Sequence, residues 1–257
     1  MNVNIQGLTF SYHSTPTLNN ITIELQKSEV LCIAGPNGSG KSTLLKCINK
    51  ILQPQQGKIL LDDQPLNKIS RLETAKKIGY VPQNTPNSNE ILSVFEMVLL
   101  GRRPHITWQS SQKDEEIVWN ALKTLTIEKL AMRNFYELSG GEQQKVLVAR
   151  SLAQEAKVLL LDEPTSNLDI KHQLEVMDLT RKLVLNKNLT AAIAIHDLNL
   201  AARFCDKIIM MKTGKIFAAG QTTTVLTTRN IQEIYEVEVE ITYYKNMPHI
   251  IPIAPLK

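Results

Sequence analysis

The nine residues Gly35-Pro36-Asn37-Gly38-Ser39-Gly40-Lys41-Ser42-Thr43 lie between the apolar run 30–34 and a second apolar segment, 44–48. That order reads as strand, glycine loop and helix. A strand feeding a glycine-rich turn and then a helix N-terminus aims several unpaired backbone N–H groups at one point, where they can surround a phosphate. The chemistry is nucleotide binding. Gly35 and Gly40 permit the tight backbone path, Lys41 can reach the β- and γ-phosphates, and the Ser42 hydroxyl is placed to ligate Mg²⁺.

A second candidate group follows at Lys157-Val158-Leu159-Leu160-Leu161-Asp162-Glu163-Pro164. A continuous apolar run ending in two carboxylates is the pattern of a fully buried parallel strand with a functional tip. Asp162 is the expected Mg²⁺ partner. Glu163, pointing away from Asp162 as the strand alternates, could take a proton from water attacking the γ-phosphate. Alone, such a pair is more often a solvated strand-end turn; a phosphate loop in the same chain reverses that preference. A third group, Leu138-Ser139-Gly140-Gly141-Glu142-Gln143-Gln144, opens the helical pattern 145–153. Two glycines at a helix start make another anion site, with the Ser139 hydroxyl as an added donor.

The three groups in this order resemble the ATP-binding cassette family. The resemblance implies ATP held between the phosphate loop of one subunit and residues 139–141 of a second, so Ser139, Gly140 and Gly141 are nucleotide contacts in a homodimer around two ATP. It implies Glu163 as base, Lys41 and His196 as γ-phosphate contacts, and Tyr12 as the aromatic on which adenine stacks. Gln83, after Ile78-Gly79-Tyr80-Val81-Pro82, is similar to the glutamine that senses Mg²⁺ and γ-phosphate and relays to the membrane partner. The implied metal set is Ser42, Gln83 and Asp162. Ser166-Asn167-Leu168-Asp169 is similar to the loop that crosses the dimer interface, with Asn167 where alanine is common.

The implied fold is an α/β P-loop NTPase (RecA-like) core with an antiparallel β subdomain and an inserted α-helical signature subdomain. The chain then reads as a single domain over residues 1–257, with core segments 1–89 and 154–257 and a helical subdomain over 90–153. Local pattern agrees. Residues 1–34 alternate as strands, 41–51 form the helix after the phosphate loop, and 57–61 return as a strand before an Asp62-Asp63 turn. Ser70 and Ser93, each with Glu three residues on, start helices as capping boxes. The polar stretch 84–89 marks a boundary, after which the pattern is helical to Ala153. Ile117, Val118, Ala121, Leu122 and Leu125 share one face there. From Val158 strands and helices alternate as in a right-handed parallel core. The tail suggests a hairpin turning at Asn246-Met247-Pro248.

Composition sets the outer limits. With 257 residues and 43% hydrophobic content a large core is available. No apolar stretch approaches the roughly 18 residues of a membrane span, and the start Met1-Asn2-Val3-Asn4 lacks a secretory leader pattern. Together with the family resemblance, this implies a peripheral protein at the cytoplasmic face of the membrane. The three cysteines are widely spaced in apolar patterns and read as reduced core thiols. A formal charge of +4 without a dense basic block gives no nucleic-acid signal.

Two less general segments, 95–105 and 196–206, resemble the ATPases of importers for iron–siderophore, haem and vitamin B12. That resemblance implies polytopic membrane permease subunits, a substrate-binding protein acting with the complex, and docking of a permease helix near residues 100–104. A basic solvated loop is the alternative for that segment. As rivals, a soluble ABC ATPase of DNA repair or translation would share all three nucleotide groups, and a P-loop kinase only the first.

Overall fold

The computed structural model describes residues 1–83, 91–166 and 168–256. The expected boundary stretch 84–89 and Asn167 lie outside them. The chain begins with strands β1 (Val3–Phe10), β2 (Leu18–Leu25) and β3 (Val30–Ala34), then helix α1 (Lys41–Ile48) and strands β4 (Gln56–Leu61) and β5 (Gln64–Pro65). Helix α2 (Arg71–Lys77) leads into β6 (Ile78–Val81). Three helices follow: α3 (Val94–Leu99), α4 (Gln112–Thr124) and α5 (Gly140–Ala153). Next come β7 (Val158–Asp162), α6 (Ile170–Lys187), β8 (Thr190–Ala194), α7 (Leu198–Phe204), β9 (Lys207–Lys212) and β10 (Lys215–Gln221). The chain closes with α8 (Thr222–Val225), α9 (Thr228–Tyr235), β11 (Val237–Tyr244) and β12 (Met247–Pro255).

A four-stranded antiparallel sheet runs β2-β1-β4-β5, and a six-stranded sheet runs β10-β9-β3-β8-β7-β6. Every residue of β3, β7 and β8 is buried. This is what unbroken apolar runs require when both faces of a parallel sheet are covered. Alternation splits β3 between two cores. Val30, Cys32 and Ala34 join the cluster with Val94, Val98, Val118 and Leu147, while Leu31 and Ile33 join the one with Ile5, Leu44 and Ile48. One face of the sheet therefore packs on the helical segment α3–α5, and the other on α1 and the antiparallel sheet.

The expected starts and turns form, with differences at several ends. Ser93 makes a reciprocal capping box with Glu96, whereas at Ser70 only the hydroxyl half forms, accepting from Glu73 N–H. Asp62 and Asp63 both take positive φ between β4 and β5, as a two-residue hairpin turn demands. Helix α1 ends at Ile48 rather than residue 51: Lys50 turns left-handed (φ 58°), and the N–H groups of Ile51 and Leu52 both return to Lys46 O. The terminal hairpin turns one position early, at Lys245-Asn246 with φ 50° and 63°, and Met247 already pairs with Tyr244. The six-stranded sheet is parallel only as far as β9; β10 returns antiparallel through a tight turn at Thr213-Gly214. Two residues leave no room for a crossover helix, so a hairpin is the only connection possible.

Candidate active site

The tip of β3 and the start of α1 build the phosphate loop. Gly35 has φ 151°, and a Cβ there would sit 2.3 Å from Met211 O; Gly40 has φ 103°, and its Cβ would meet Thr17 O at 2.9 Å. Both glycines are required by positive φ and close backbone approach. Gly40 occupies the N-cap of α1 with no side-chain cap, and the first intrahelical bond is Leu44 N–H to Gly40 O. The N–H groups of Lys41, Ser42 and Thr43 consequently have no helical acceptor, which is the arrangement an anion fits. Ser39 Oγ is buried in the same loop without a hydrogen-bond partner among the described residues, while Asn37 and Gly38 are exposed at its tip. The Lys41 ammonium arches back over the loop to donate to Gly35 O at 2.9 Å and Pro36 O at 3.0 Å. Burial lowers its pKa, and the nearby Glu163 and Asp162 carboxylates oppose that shift.

Asp162 and Glu163 diverge as expected, for a different reason. Strand β7 stops at Asp162, and Glu163 adopts the left-handed region at φ 50°, so a backbone turn rather than strand alternation separates the two side chains. Asp162 accepts from Ser42 Oγ at 2.7 Å through Oδ1 and from Tyr80 Oη at 2.9 Å through Oδ2. Glu163 takes Gln83 Nε2 on Oε2 and His196 Nε2 on Oε1, both at 2.5 Å. A carboxylate can only accept, so His196 presents Nε2–H to it. Five expected residues, Ser42, Gln83, Asp162, Glu163 and His196, thus meet in two adjoining hydrogen-bonded groups with Lys41 beside them. Ser42 Oγ and Asp162 Oδ1 form a hard oxygen pair suited to Mg²⁺, which takes one or two protein ligands and completes its shell with phosphate and water.

The remaining expected residues lie apart from that cluster. Tyr12 is 52% exposed, held edge-on to Phe10 with ring centroids 4.9 Å apart. Ser139 caps α5, and its hydroxyl donates to Glu142 Oε2 at 2.7 Å; the added donor expected for an anion is already engaged within its own helix start. Gly140 is exposed. Gly141 is buried, and a Cβ on it would lie 2.5 Å from the His172 ring. His172 Nδ1 in turn pairs with Asp169, the N-cap of α6, at 2.8 Å. Residues 139–141 are therefore tied to residues 169–172, and no hydrogen bond among the described residues joins them to Lys41, Asp162 or Glu163.

A groove of about 610 Å³ lies beside the cluster, lined by Lys50, Arg71, Tyr80, Leu100, Arg103 and Arg150 among others. Of the expected docking segment, Leu100, Gly101, Arg103 and Pro104 reach this groove. Arg102 does not. It is buried and satisfied by Asp114 at 2.9 Å, Glu155 at 2.7 Å and Ala153 O at 2.7 Å, because a buried guanidinium must find acceptors, and the helical segment supplies two of them and the turn after α5 the third. Sequence reasoning missed Tyr80 altogether. Its only signal was position, three residues before Gln83, which lies just beyond the end of β6.

The family model described as "ABC transporter" matches residues 18–166. An uncharacterized ABC transporter ATP-binding protein of Methanocaldococcus jannaschii is 48% identical over 254 residues, covering 99% of each chain. The petrobactin import ATP-binding protein FpuD of Bacillus anthracis is 38% identical over 237 residues, covering 91% of this chain and 86% of its own. Among solved structures, one described as a metal-chelate type ABC transporter in an inward-facing conformation superposes with a TM-score of 0.86 at 32% identity, over 98% of this chain and 96% of that one.

Proposed function

Because the chain belongs to the ABC transporter family, we propose that it is the ATP-hydrolysing subunit of a membrane importer, acting as a homodimer that closes around two ATP. The observation that carries this reading is the meeting of Lys41, Ser42, Asp162, Gln83, Glu163 and His196 at one end of the six-stranded sheet. No helix among the described residues is long and apolar enough to cross a membrane, so translocation falls to permease subunits that this one drives. The alternative of a soluble repair or translation ATPase loses ground to relatives that are import proteins along 91% of this chain.

Residues 35–43 wrap the phosphates with backbone N–H groups, and the Lys41 ammonium exchanges the Gly35 and Pro36 carbonyls for phosphate oxygens. Ser42 and Asp162, with Gln83, would hold Mg²⁺, and that cation would supply positive charge against the phosphates. Glu163, held by Gln83 and His196, accepts the proton of the attacking water, and His196 faces the γ-phosphate. Little covalent work is needed in phosphoryl transfer, so positioning and charge supply most of the rate. Residues 139–141 are separate from their own phosphate loop and complete the partner's site. ATP thereby becomes the glue for closure, and hydrolysis the trigger for reopening. A permease helix sits in the groove at residues 100–104. The chain lies at the cytoplasmic membrane face, a substrate-binding protein supplies the cargo, and the cargo class is iron–siderophore, haem or cobalamin. The chain is a single domain with residues 90–153 as its helical subdomain, a division supported by the continuity of the cluster containing Val94, Val118 and Leu147 with the sheet residues Leu159 and Ile193.

Co-expression with candidate polytopic membrane proteins from neighbouring genes tests the assignment. The expected result is one detergent-stable complex containing two copies of this chain, with ATPase activity stimulated by a loaded binding protein. Failure to associate with any such membrane protein, with full activity as a monomer, would exclude it. A second expectation concerns adenine. Tyr12→Ala weakens ATP binding by about 1–3 kcal/mol, the worth of one base stacked on an aromatic, and Tyr12→Phe by less. Equal dissociation constants by calorimetry would make Tyr12 a partner of Phe10 only.

A further inference from the structure

We infer that Tyr80 is a positioning residue for Asp162 that also transmits occupancy of the groove at residues 100–104 to the cation site. It rests on the reading of Ser42 and Asp162 as that site. Tyr80 stands in β6, the edge strand of the six-stranded sheet, with β7 as its single neighbour. The strand is pinned behind Tyr80 at Gly79, where a Cβ would already sit 3.2 Å from Ser151 Cβ and 3.3 Å from Ala156 Cβ. Tyr80 itself is half-buried. Tyr80 lines the groove together with Arg71, Leu100 and Arg103, and its hydroxyl donates to Asp162 Oδ2 at 2.9 Å.

The two donors on Asp162 act together. Ser42 occupies Oδ1 and Tyr80 occupies Oδ2, so the carboxylate plane of a residue only 3% exposed is set by one contact from α1 and one from β6. A carboxylate can only accept, so the Tyr80 hydroxyl is the donor in this contact. Partners of this kind orient a metal ligand without touching the metal, and their loss typically weakens metal affinity by 10–100-fold. Two residues past the end of β6, Gln83 donates to Glu163. Tyr80 is the residue among them that faces the groove and the metal-side carboxylate at once, so a segment seated in the groove bears on the cation site directly. The route is a physical contact at each step.

The test uses the whole chain with Mn²⁺ as probe and a non-hydrolysable ATP analogue. Tyr80→Phe removes one oxygen and keeps the ring. Titration followed by electron paramagnetic resonance should show Mn²⁺ binding about 10-fold weaker, with analogue affinity in EDTA and melting temperature unchanged. Leu100→Trp, which adds bulk to the groove, should change Mn²⁺ affinity in the wild type and not in the Tyr80→Phe background, a coupling that a purely structural tyrosine would not give. With 3-fluorotyrosine incorporated, the fluorine resonance absent from Tyr80→Phe should move when Mg²⁺ joins the analogue. Asp162→Asn separates the two levels of the argument. If it weakens Mn²⁺ binding while Tyr80→Phe does not, the inference is overturned and the cation site stands. If Asp162→Asn has no effect either, the site reading falls and takes the inference with it. Equal effects of Leu100→Trp in both backgrounds would overturn the link to the groove.

Discussion

Glu163→Gln lowers steady-state ATP turnover by about 10²–10⁴-fold while nucleotide affinity is kept, and an ATP-stabilised dimer accumulates. The size follows from the role: an amide cannot accept the water proton, and the remaining positioning and charge survive. The structure shows why the variant should fold. Glu163 accepts from Gln83 and from His196, and a glutamine retains one acceptor oxygen. Gln83 can rotate its own amide to present oxygen to the new NH₂ group, so both contacts are preserved. Single-turnover hydrolysis and sedimentation with ATP measure the two consequences. Hydrolysis at the wild-type rate would remove Glu163 from the base position and leave it as a spacer between Gln83 and His196.

Gly140→Asp abolishes most hydrolysis while leaving nucleotide binding by the monomer intact. The choice of residue comes from the structure. Gly141 looks equivalent in sequence, but a side chain there would run into the His172 ring, and a loss of activity would report damaged packing between α5 and α6. Gly140 is exposed, and neither glycine has a positive φ. An acidic residue in the first helical turn even complements the helix dipole. Placed against the partner's γ-phosphate, the new carboxylate meets like charge in a partly dry interface. At 4 Å and an effective dielectric near 20 that repulsion is about 4 kcal/mol, or roughly 10²–10³-fold in rate. Wild-type activity should also rise faster than linearly with protein concentration until dimers saturate, and become linear once the permease holds two copies together. Normal turnover by Gly140→Asp in such a complex would sever residues 139–141 from the ATP site.

What could be read along the chain was chemistry decided within four or five residues. Gly35 and Gly40 announce positive φ because no side chain survives there, and Ser93 with Glu96 announces a helix start because the two exchange hydrogen bonds locally. The buried runs of β3 and β7 announce a two-sided parallel sheet because nothing in them tolerates water. The resemblance to the cassette family added Tyr12, Gln83 and His196, whose roles no local pattern carries.

Tertiary structure decided which of these groups face each other. Gln83 reaches Glu163 from 80 residues away, and Tyr80 reaches Asp162 from 82, through a register in which Tyr80 pairs with Leu160 and Val81 with Leu161. Shifting that register by one would turn every side chain of β6 to the opposite face. The left-handed turn at Glu163, the burial of Arg102 by Asp114 and Glu155, and the packing of His172 on Gly141 belong to the same class. Each depends on where a distant element comes to rest. Residue types limit what a side chain can do, whereas its partner is settled only when two cores on opposite faces of one sheet are filled together.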